Sequence, residues 1–284
     1  MTTRTVLLTV VAMLAFAANS LLCRLALGRE LIDAASFTTT RVISGVVVLW
    51  LIVLLRRRPS MRGVADWRAA AMLFTYMVFF SFAYLTLSAG TGALILFGAV
   101  QLTMFIVALR EGESFSAVSW MGLAIAVFGL VYLVSPGLTA PNALGAALMA
   151  VAGIAWGFYS LLGRGIADPL EGTSRNFLYS MPLVLIVSLI FVRDFSISPN
   201  GLALAVASGA VASGCGYVIW YAALPGLTAT RAATVQLCVP AIAAFGGVVI
   251  LFEELTLRLV LASAATLGGV AIVLAQRAAK ASSP

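Results

Sequence analysis

The sequence predicts an all-α integral membrane protein, with ten transmembrane helices forming an inverted five-plus-five repeat around a central cavity. Three observations carry this reading. First, 62% of the 284 residues are hydrophobic and 10% are charged, against about 25% charged in soluble domains. A spanning helix needs roughly 20 apolar residues, so ten spans use up most of the chain. The apolar runs are continuous, unlike the alternating strands of a membrane barrel. Second, residues 12–27 (AMLAFAANSLLCRLAL) are echoed by residues 152–167 (AGIAWGFYSLLGRGIA) at an offset of 140. Ala12, Ala15, Ser20, Leu21, Leu22 and Arg24 meet Ala152, Ala155, Ser160, Leu161, Leu162 and Arg164, and Phe16 meets Trp156. An echo at nearly half the chain reads as two copies of one unit, 1–138 and 139–284. Third, Glu113 and Gly129 meet Glu253 and Gly269 at the same offset. Five spans per copy is an odd number, so the copies run in opposite directions across the bilayer. The middle fits less well: Val100-Gln101-Leu102 meets Val235-Gln236-Leu237 at 135, which needs a gap of five.

In the first unit, spans are expected at about 5–25, 36–55, 69–88, 92–109 and 117–134. The cluster Arg56-Arg57-Arg58-Pro59 with Arg62 and Arg68 separates the second from the third. Gly90-Thr91-Gly92 is expected to break the third from the fourth, and Glu111-Gly112-Glu113 to turn into the fifth. Ser135-Pro136-Gly137 to Pro141-Asn142 is an uncharged hinge between the units. In the second unit, spans are expected at about 143–162, 174–192, 201–223, 228–251 and 257–276. Gly163 to Gly172 and Arg193 to Asn200 read as loops, Pro225-Gly226 as a break and Glu253-Glu254 as a turn. Pro182 and Pro240 are expected to interrupt spans seven and nine.

With the N-terminus inside, the inner side collects Arg4, Arg56, Arg57, Arg58, Arg62, Arg68, Arg110, Arg164, Arg175, Arg231, Arg277 and Lys280. The outer side collects only Arg24, Arg29, Arg193 and Arg258. Positive charge marks the cytoplasmic side, so both termini are expected in the cytoplasm, with the chain in a bacterial inner membrane. The net charge of +7 is therefore topological and does not indicate a nucleic-acid partner. Arg4, the first apolar run and Ala15-Phe16-Ala17 look like a signal peptide, but the internal twin at Ala152 argues against removal. Cys23, Cys215 and Cys238 are scattered and odd in number, and read as small buried hydrophobes. They suggest neither a disulfide nor a metal site. There is no His, which removes the commonest proton shuttle and metal ligand. No cofactor is expected.

All ten carboxylates fall in loops or at span ends, which disfavours a carboxylate proton relay. Without a nucleophile–base pair or a metal set, an enzyme is the least favoured class. Arg41 lies about six residues into span two. It can snorkel to the interface, or it can hold a substrate carboxylate. Gln101 and Gln236 lie near the middles of spans four and nine. Each is either helix-to-helix glue or a substrate contact, as are Asn19, Ser20 and Ser160. Tyr76, Phe80 and Tyr84 share one helix face at i, i+4, i+8. These three, with Trp156, Tyr159 and Tyr217, are the aromatic candidates for a cavity wall. Trp50, Trp67, Trp220 and Tyr221 read as the interfacial belt. Gly122, Gly129, Gly209, Gly214 and Gly216 permit close helix approach. An apolar pocket with a few polar anchors suits a zwitterion with an apolar side chain.

Two sets of residues resemble the drug/metabolite transporter (DMT) superfamily, and within it the ten-span EamA type. One is Leu109-Arg110-Glu111-Gly112-Glu113 with Trp120-Met121-Gly122. The other is Pro240 with Leu251-Phe252-Glu253-Glu254-Leu255 and Gly268-Gly269. The resemblance covers nearly the whole chain and is specific for fold rather than substrate. It implies a basket of helices with a cavity lined by spans one, three, four, six, eight and nine. The aromatic-rich spans are similar to those of bacterial aromatic amino acid exporters in that superfamily. The first unit departs from the pattern, with no Pro near Val107 to match Pro240. The leading expectation is a monomeric small-molecule carrier that exports amino acids first, by alternating access without proton coupling. A carrier of phosphorylated metabolites should show several cavity Lys or Arg. A channel or lipid flippase is the third alternative.

Overall fold

A computed structural model of the protein describes residues 2–56, 66–163, 166, 168–227 and 229–281. Arg57, Arg58, Arg62 and Arg164 lie outside the described residues. The chain begins with α1 (Thr3–Gly28), α2 (Ala34–Leu55), α3 (Trp67–Ala83), α4 (Ala89–Arg110) and α5 (Ala117–Val134). Next come α6 (Ala143–Leu162) and α7 (Pro169–Ile190). A composite span follows, made of α8 (Pro199–Val206), a wide π turn (Ala207–Cys215) and α9 (Gly216–Ala223). A second composite span joins α10 (Ala229–Gln236) to α11 (Cys238–Leu251), and α12 (Leu257–Ala281) closes the fold. Among the described residues nine stretches are long and apolar enough to cross a membrane, and Trp67–Ala83 is a shorter apolar helix. There are no strands among them, only an isolated bridge between Ile32 and Ile197. Leu7, Phe128, Leu189 and Phe245 are among many large apolar side chains left exposed, as expected of a surface solvated by lipid.

Capping side chains set the helix starts. Thr2, Asp33, Asp66, Ser88, Ser116, Asn142, Asp168 and Ser198 each accept a hydrogen bond from a backbone N–H of the first turn. In a membrane protein these otherwise orphaned donors are costly to leave unpaired. The caps correct two expected boundaries. Gly90 and Gly92 do not break spans three and four; they lie in the first turn of α4, behind the Ser88 cap. There they permit packing, since a Cβ at Gly90 would sit 2.7 Å from the Cβ of Ala244. Similarly, α7 starts at Pro169, within the expected loop, because Asp168 caps it and Pro at the first helical position gives up no hydrogen bond.

The two internal prolines differ. Pro182 does not interrupt α7, which runs on to Ile190; neighbouring groups can satisfy a freed carbonyl in a packed bundle. Pro240 does break its span, at Leu237, because its ring lacks an N–H and crowds the carbonyl of Gln236 four residues back. The π turn in span eight is a further departure from the expected continuous helix. Gly209 within it presses against the backbone carbonyl of Arg41 and the hydroxyl of Ser44, where no side chain fits.

Small residues bring the spans together. A Cβ on Gly122 of α5 would sit 2.7 Å from the carbonyl oxygen of Gly269 in α12. Helix α6 packs on α3 and α4, α2 on α7, and α1 on α9 and α11. Thr5 near the start of α1 meets Gly226 after α9, and Arg277 near the end of α12 pairs with Glu113. Both termini therefore lie at one end of the bundle. Cys23 is buried, but Cys238 is exposed, contrary to the reading of all three as buried, because its position on α11 faces outward.

Candidate functional site

A cavity of about 490 Å³ opens between the spans near the end that carries the termini. This lies within the roughly 300–1,000 Å³ typical of small-molecule sites. Phe16 of α1, Gln101 of α4, Trp156, Tyr159 and Ser160 of α6, Asn176 of α7, Tyr217, Trp220 and Tyr221 of α9, and Gln236 of α10 line it. Arg277 is the only charged residue among the described lining residues. Its guanidinium pairs with Glu113 at 2.6 Å and lies 5.0 Å from the centre of the Phe115 ring.

Rings form the inner wall. Trp156 stacks on Tyr217 with centroids 5.5 Å apart and planes at 25°. Phe16 approaches Tyr217 at 5.9 Å and Trp220 at 6.0 Å, both edge to face. Trp156 also meets Tyr76 at 4.7 Å, Tyr76 meets Phe80 at 5.3 Å, and Phe80 meets Tyr84 at 4.8 Å. The rings on α3 thus continue the wall into the protein and away from the opening, each buried. Their i, i+4, i+8 spacing on one helix face produces the column.

Behind Trp156 and Tyr217 lies a polar cluster drawn from four spans. Arg41 Nη2 donates to the Tyr76 hydroxyl at 3.1 Å and to Ser213 Oγ at 3.3 Å, and Nε reaches Ser213 Oγ at 3.4 Å. Asn19 Nδ2 donates to the same Tyr76 hydroxyl at 3.3 Å, and Ser208 Oγ donates to Asn19 Oδ1 at 2.6 Å. The π turn brings Ser208 and Ser213 to this point. Arg41 is fully buried and does not snorkel. It lies in the first half of α2, enclosed by Phe80, Tyr76 and the π turn.

The opposite end is closed. Arg24 Nε pairs with Glu253 at 3.1 Å, while Arg24 Nη1 donates to the carbonyls of Tyr84 and Leu85 at 3.1 and 3.3 Å. The backbone N–H of Ala89 donates to the other Glu253 oxygen at 2.9 Å. Tyr84 OH donates to the Ala89 carbonyl at 3.2 Å. Arg258 caps the end of α5 by donating to the Ser135 carbonyl at 2.6 Å. A shallower recess of about 290 Å³, with Arg24, Thr91 and Glu253 on its wall, lies outside this closure.

Residues 143–275 match the EamA-like transporter family. A Pseudomonas aeruginosa protein of uncharacterised function is 50% identical over 278 residues, spanning 98% of this chain and 97% of that one. The chain belongs to the EamA-like transporter family. An uncharacterised transporter of Archaeoglobus fulgidus is 29% identical over 208 residues, 71% of this chain and 74% of that one. A protein of known crystal structure superposes with a TM-score of 0.71 over 99% of this chain and 100% of that one, at 19% identity, so the two share a fold. This EamA-like chain is a multi-pass membrane protein from a family of transporters for small substrates, within the DMT superfamily.

The EamA-like fold separates the expected site residues into two groups. Gln101, Trp156, Tyr159, Ser160, Tyr217 and Gln236 line the cavity. Asn19, Ser20, Tyr76, Phe80 and Tyr84 are buried behind it, toward the closed end, because their faces of α1 and α3 turn into the bundle. Two lining residues are partly engaged within their own helices: Ser160 Oγ donates to the Trp156 carbonyl at 2.8 Å and Gln236 Nε2 to the Ala232 carbonyl at 3.3 Å. Trp220 and Tyr221 were expected in an interfacial belt but line the cavity. Their spacing from Tyr217, at i+3 and i+4, is the signal that puts them on its helix face. Asn176 and Thr173 on α7 carried no distinguishing pattern. Thr173 Oγ1 donates to the Tyr221 hydroxyl at 3.2 Å, which ties α7 to the wall.

Proposed function

We propose that this chain is a secondary carrier that exports amino acids with aromatic or other apolar side chains across a bacterial inner membrane by alternating access. The observation that carries the reading is the cavity wall: seven aromatic side chains with the neutral amides of Gln101, Asn176 and Gln236, and no carboxylate among the described lining residues. Rings and neutral amides suit a small amphipathic zwitterion. Carboxylates also stay clear of mid-span, which favours facilitated diffusion over proton coupling. The helix pairings support an inverted repeat: α5 packs on α12 and α2 on α7, while α1 on α9 mirrors α6 on α3, and α1 on α11 mirrors α6 on α4. Arg4, Arg56, Arg68, Arg110, Arg175, Arg231 and Arg277 belong to the end bearing the termini and the cavity mouth, which supports a cytoplasmic placement of that end. Phosphorylated metabolites fit less well, because Arg277 at the rim is already paired with Glu113.

The test is counterflow of labelled phenylalanine in proteoliposomes preloaded with unlabelled amino acids, with and without a proton gradient. Exchange that ignores the gradient is expected. Exchange that requires it overturns uncoupled transport, and no exchange with any amino acid in folded protein overturns the substrate class.

A further inference from the structure

The Arg41 guanidinium has one nitrogen, Nη1, that is buried and meets no hydrogen-bond partner among the described residues. Its other contacts are neutral: the hydroxyls of Tyr76 and Ser213, and the rings of Tyr76 and Phe80, with centroids 5.3 and 5.0 Å from Cζ. It forms no ion pair among the described residues; the pairs Arg24–Glu253, Arg56–Asp168 and Arg277–Glu113 all lie near helix ends. A guanidinium keeps its charge and offers five N–H donors in a planar fork. A buried charge without a counter-ion is costly to maintain, and this one is held in place by four spans and by Gly209 packed on the carbonyl of its own residue. Such a group is incomplete until an anion arrives.

A layer of rings lies between Arg41 and the cavity. Tyr76 contacts Arg41 on one side and Trp156 on the other, and Trp156 and Tyr217 face the cavity. We propose that Arg41 is an anion-binding site for a substrate monocarboxylate, reached when the Trp156–Tyr217 stack parts. This proposal rests on the carrier reading above. One cation and one open donor nitrogen match a single negative charge; a phosphate dianion leaves a buried negative charge uncompensated. No acidic side chain stands beside Arg41 to take an ammonium group, so the carboxylate dominates recognition. The substrate's aromatic body packs against the rings.

The test uses purified full-length protein and measures its Tm with 3-phenylpropionate, phenethylamine or chloride. The expected result is a rise with 3-phenylpropionate alone, lost in Arg41→Gln and partly kept in Arg41→Lys. Ligand-free Arg41→Gln is expected to melt no lower than the unaltered protein, because it removes an uncompensated charge. An equal response to the amine, an equal response to chloride, or a response retained in Arg41→Gln overturns the site. Should Arg41→Gln fail to fold, Tyr76→Phe and Ser213→Ala serve in its place. Each leaves the cation intact and exposes more of it, so the 3-phenylpropionate response must persist; its loss in both overturns the assignment to Arg41. The two proposals fail separately. Carboxylate stabilisation through Arg41 without amino acid counterflow retires the amino acid reading and leaves the site. Counterflow without carboxylate preference does the reverse.

Discussion

At the end away from the termini, Arg24 and Glu253 tie together α1, the turn from Tyr84 to Ala89 and the turn after α11, through one ion pair and three bonds to backbone groups. At the other end, Arg277 and Glu113 pair at the rim of a cavity that stays open. The difference lies in what each pair joins. Glu113 precedes α5 and Arg277 is on α12, two helices already packed along their glycine seam, so their ion pair closes no path. The Arg24–Glu253 cluster joins three elements far apart in the sequence and exists only when they meet. It is the element that must come apart if the carrier opens toward the other side.

Neutralising each acid sharpens this contrast. Glu253→Gln leaves Arg24 partly buried without its counter-charge. The side chains are 25% and 16% exposed, so the expected loss is about 2 kcal/mol, below the roughly 3–5 kcal/mol of a fully buried pair. Glu113→Gln, with the acid 43% exposed, is expected to cost no more than about 1 kcal/mol. Denaturant or thermal unfolding in detergent compares them, and equal losses would erase the distinction between the ends.

Glycines give the next largest effect, with opposite signs at the two ends. At the closed end, Gly90→Ala forces a Cβ to within 2.7 Å of the Ala244 Cβ and is expected to cost about 1–2 kcal/mol. At the open end, Gly163 has ordinary right-handed helical angles, and a Cβ there would meet only carbonyls of its own helix, at 3.5 Å or more. Gly163→Ala is expected to stabilise by about 0.4–1 kcal/mol, mainly by restricting the unfolded chain. Paired Tm measurements check the signs, and a stabilising Gly90→Ala would mean that the α4–α11 seam is loose.

Much of the fold was legible in the length and spacing of the apolar runs. The expected limits of spans five and six, 117–134 and 143–162, coincide with α5 and α6, where Ser116 and Asn142 stand just before apolar runs. The chain after Tyr84 misled, because Gly90 and Gly92 read as breakers while Ser88, the cap, drew no notice. Nothing in Ala207–Cys215 separates a π turn from a helix, since both are apolar and small-residue rich. The candidate residues were legible as types, but not in depth. Tyr76, Phe80 and Tyr84 were seen to share a face, yet a face alone does not say whether it fronts a cavity or a neighbouring helix. Arg41 shows the same limit. Snorkelling and burial differ by rotation of α2, which is set by packing against α7 and the π turn, contacts far away in sequence.

The most direct test of one-sided access is thiol labelling of Ala233→Cys, a cavity-lining position, in a background lacking Cys23, Cys215 and Cys238. A membrane-impermeant maleimide would be applied to each face of oriented vesicles. The account predicts labelling only from the face that carries the termini, slowed by a transported amino acid. Equal labelling from both faces at rest would contradict it and indicate a continuous pore.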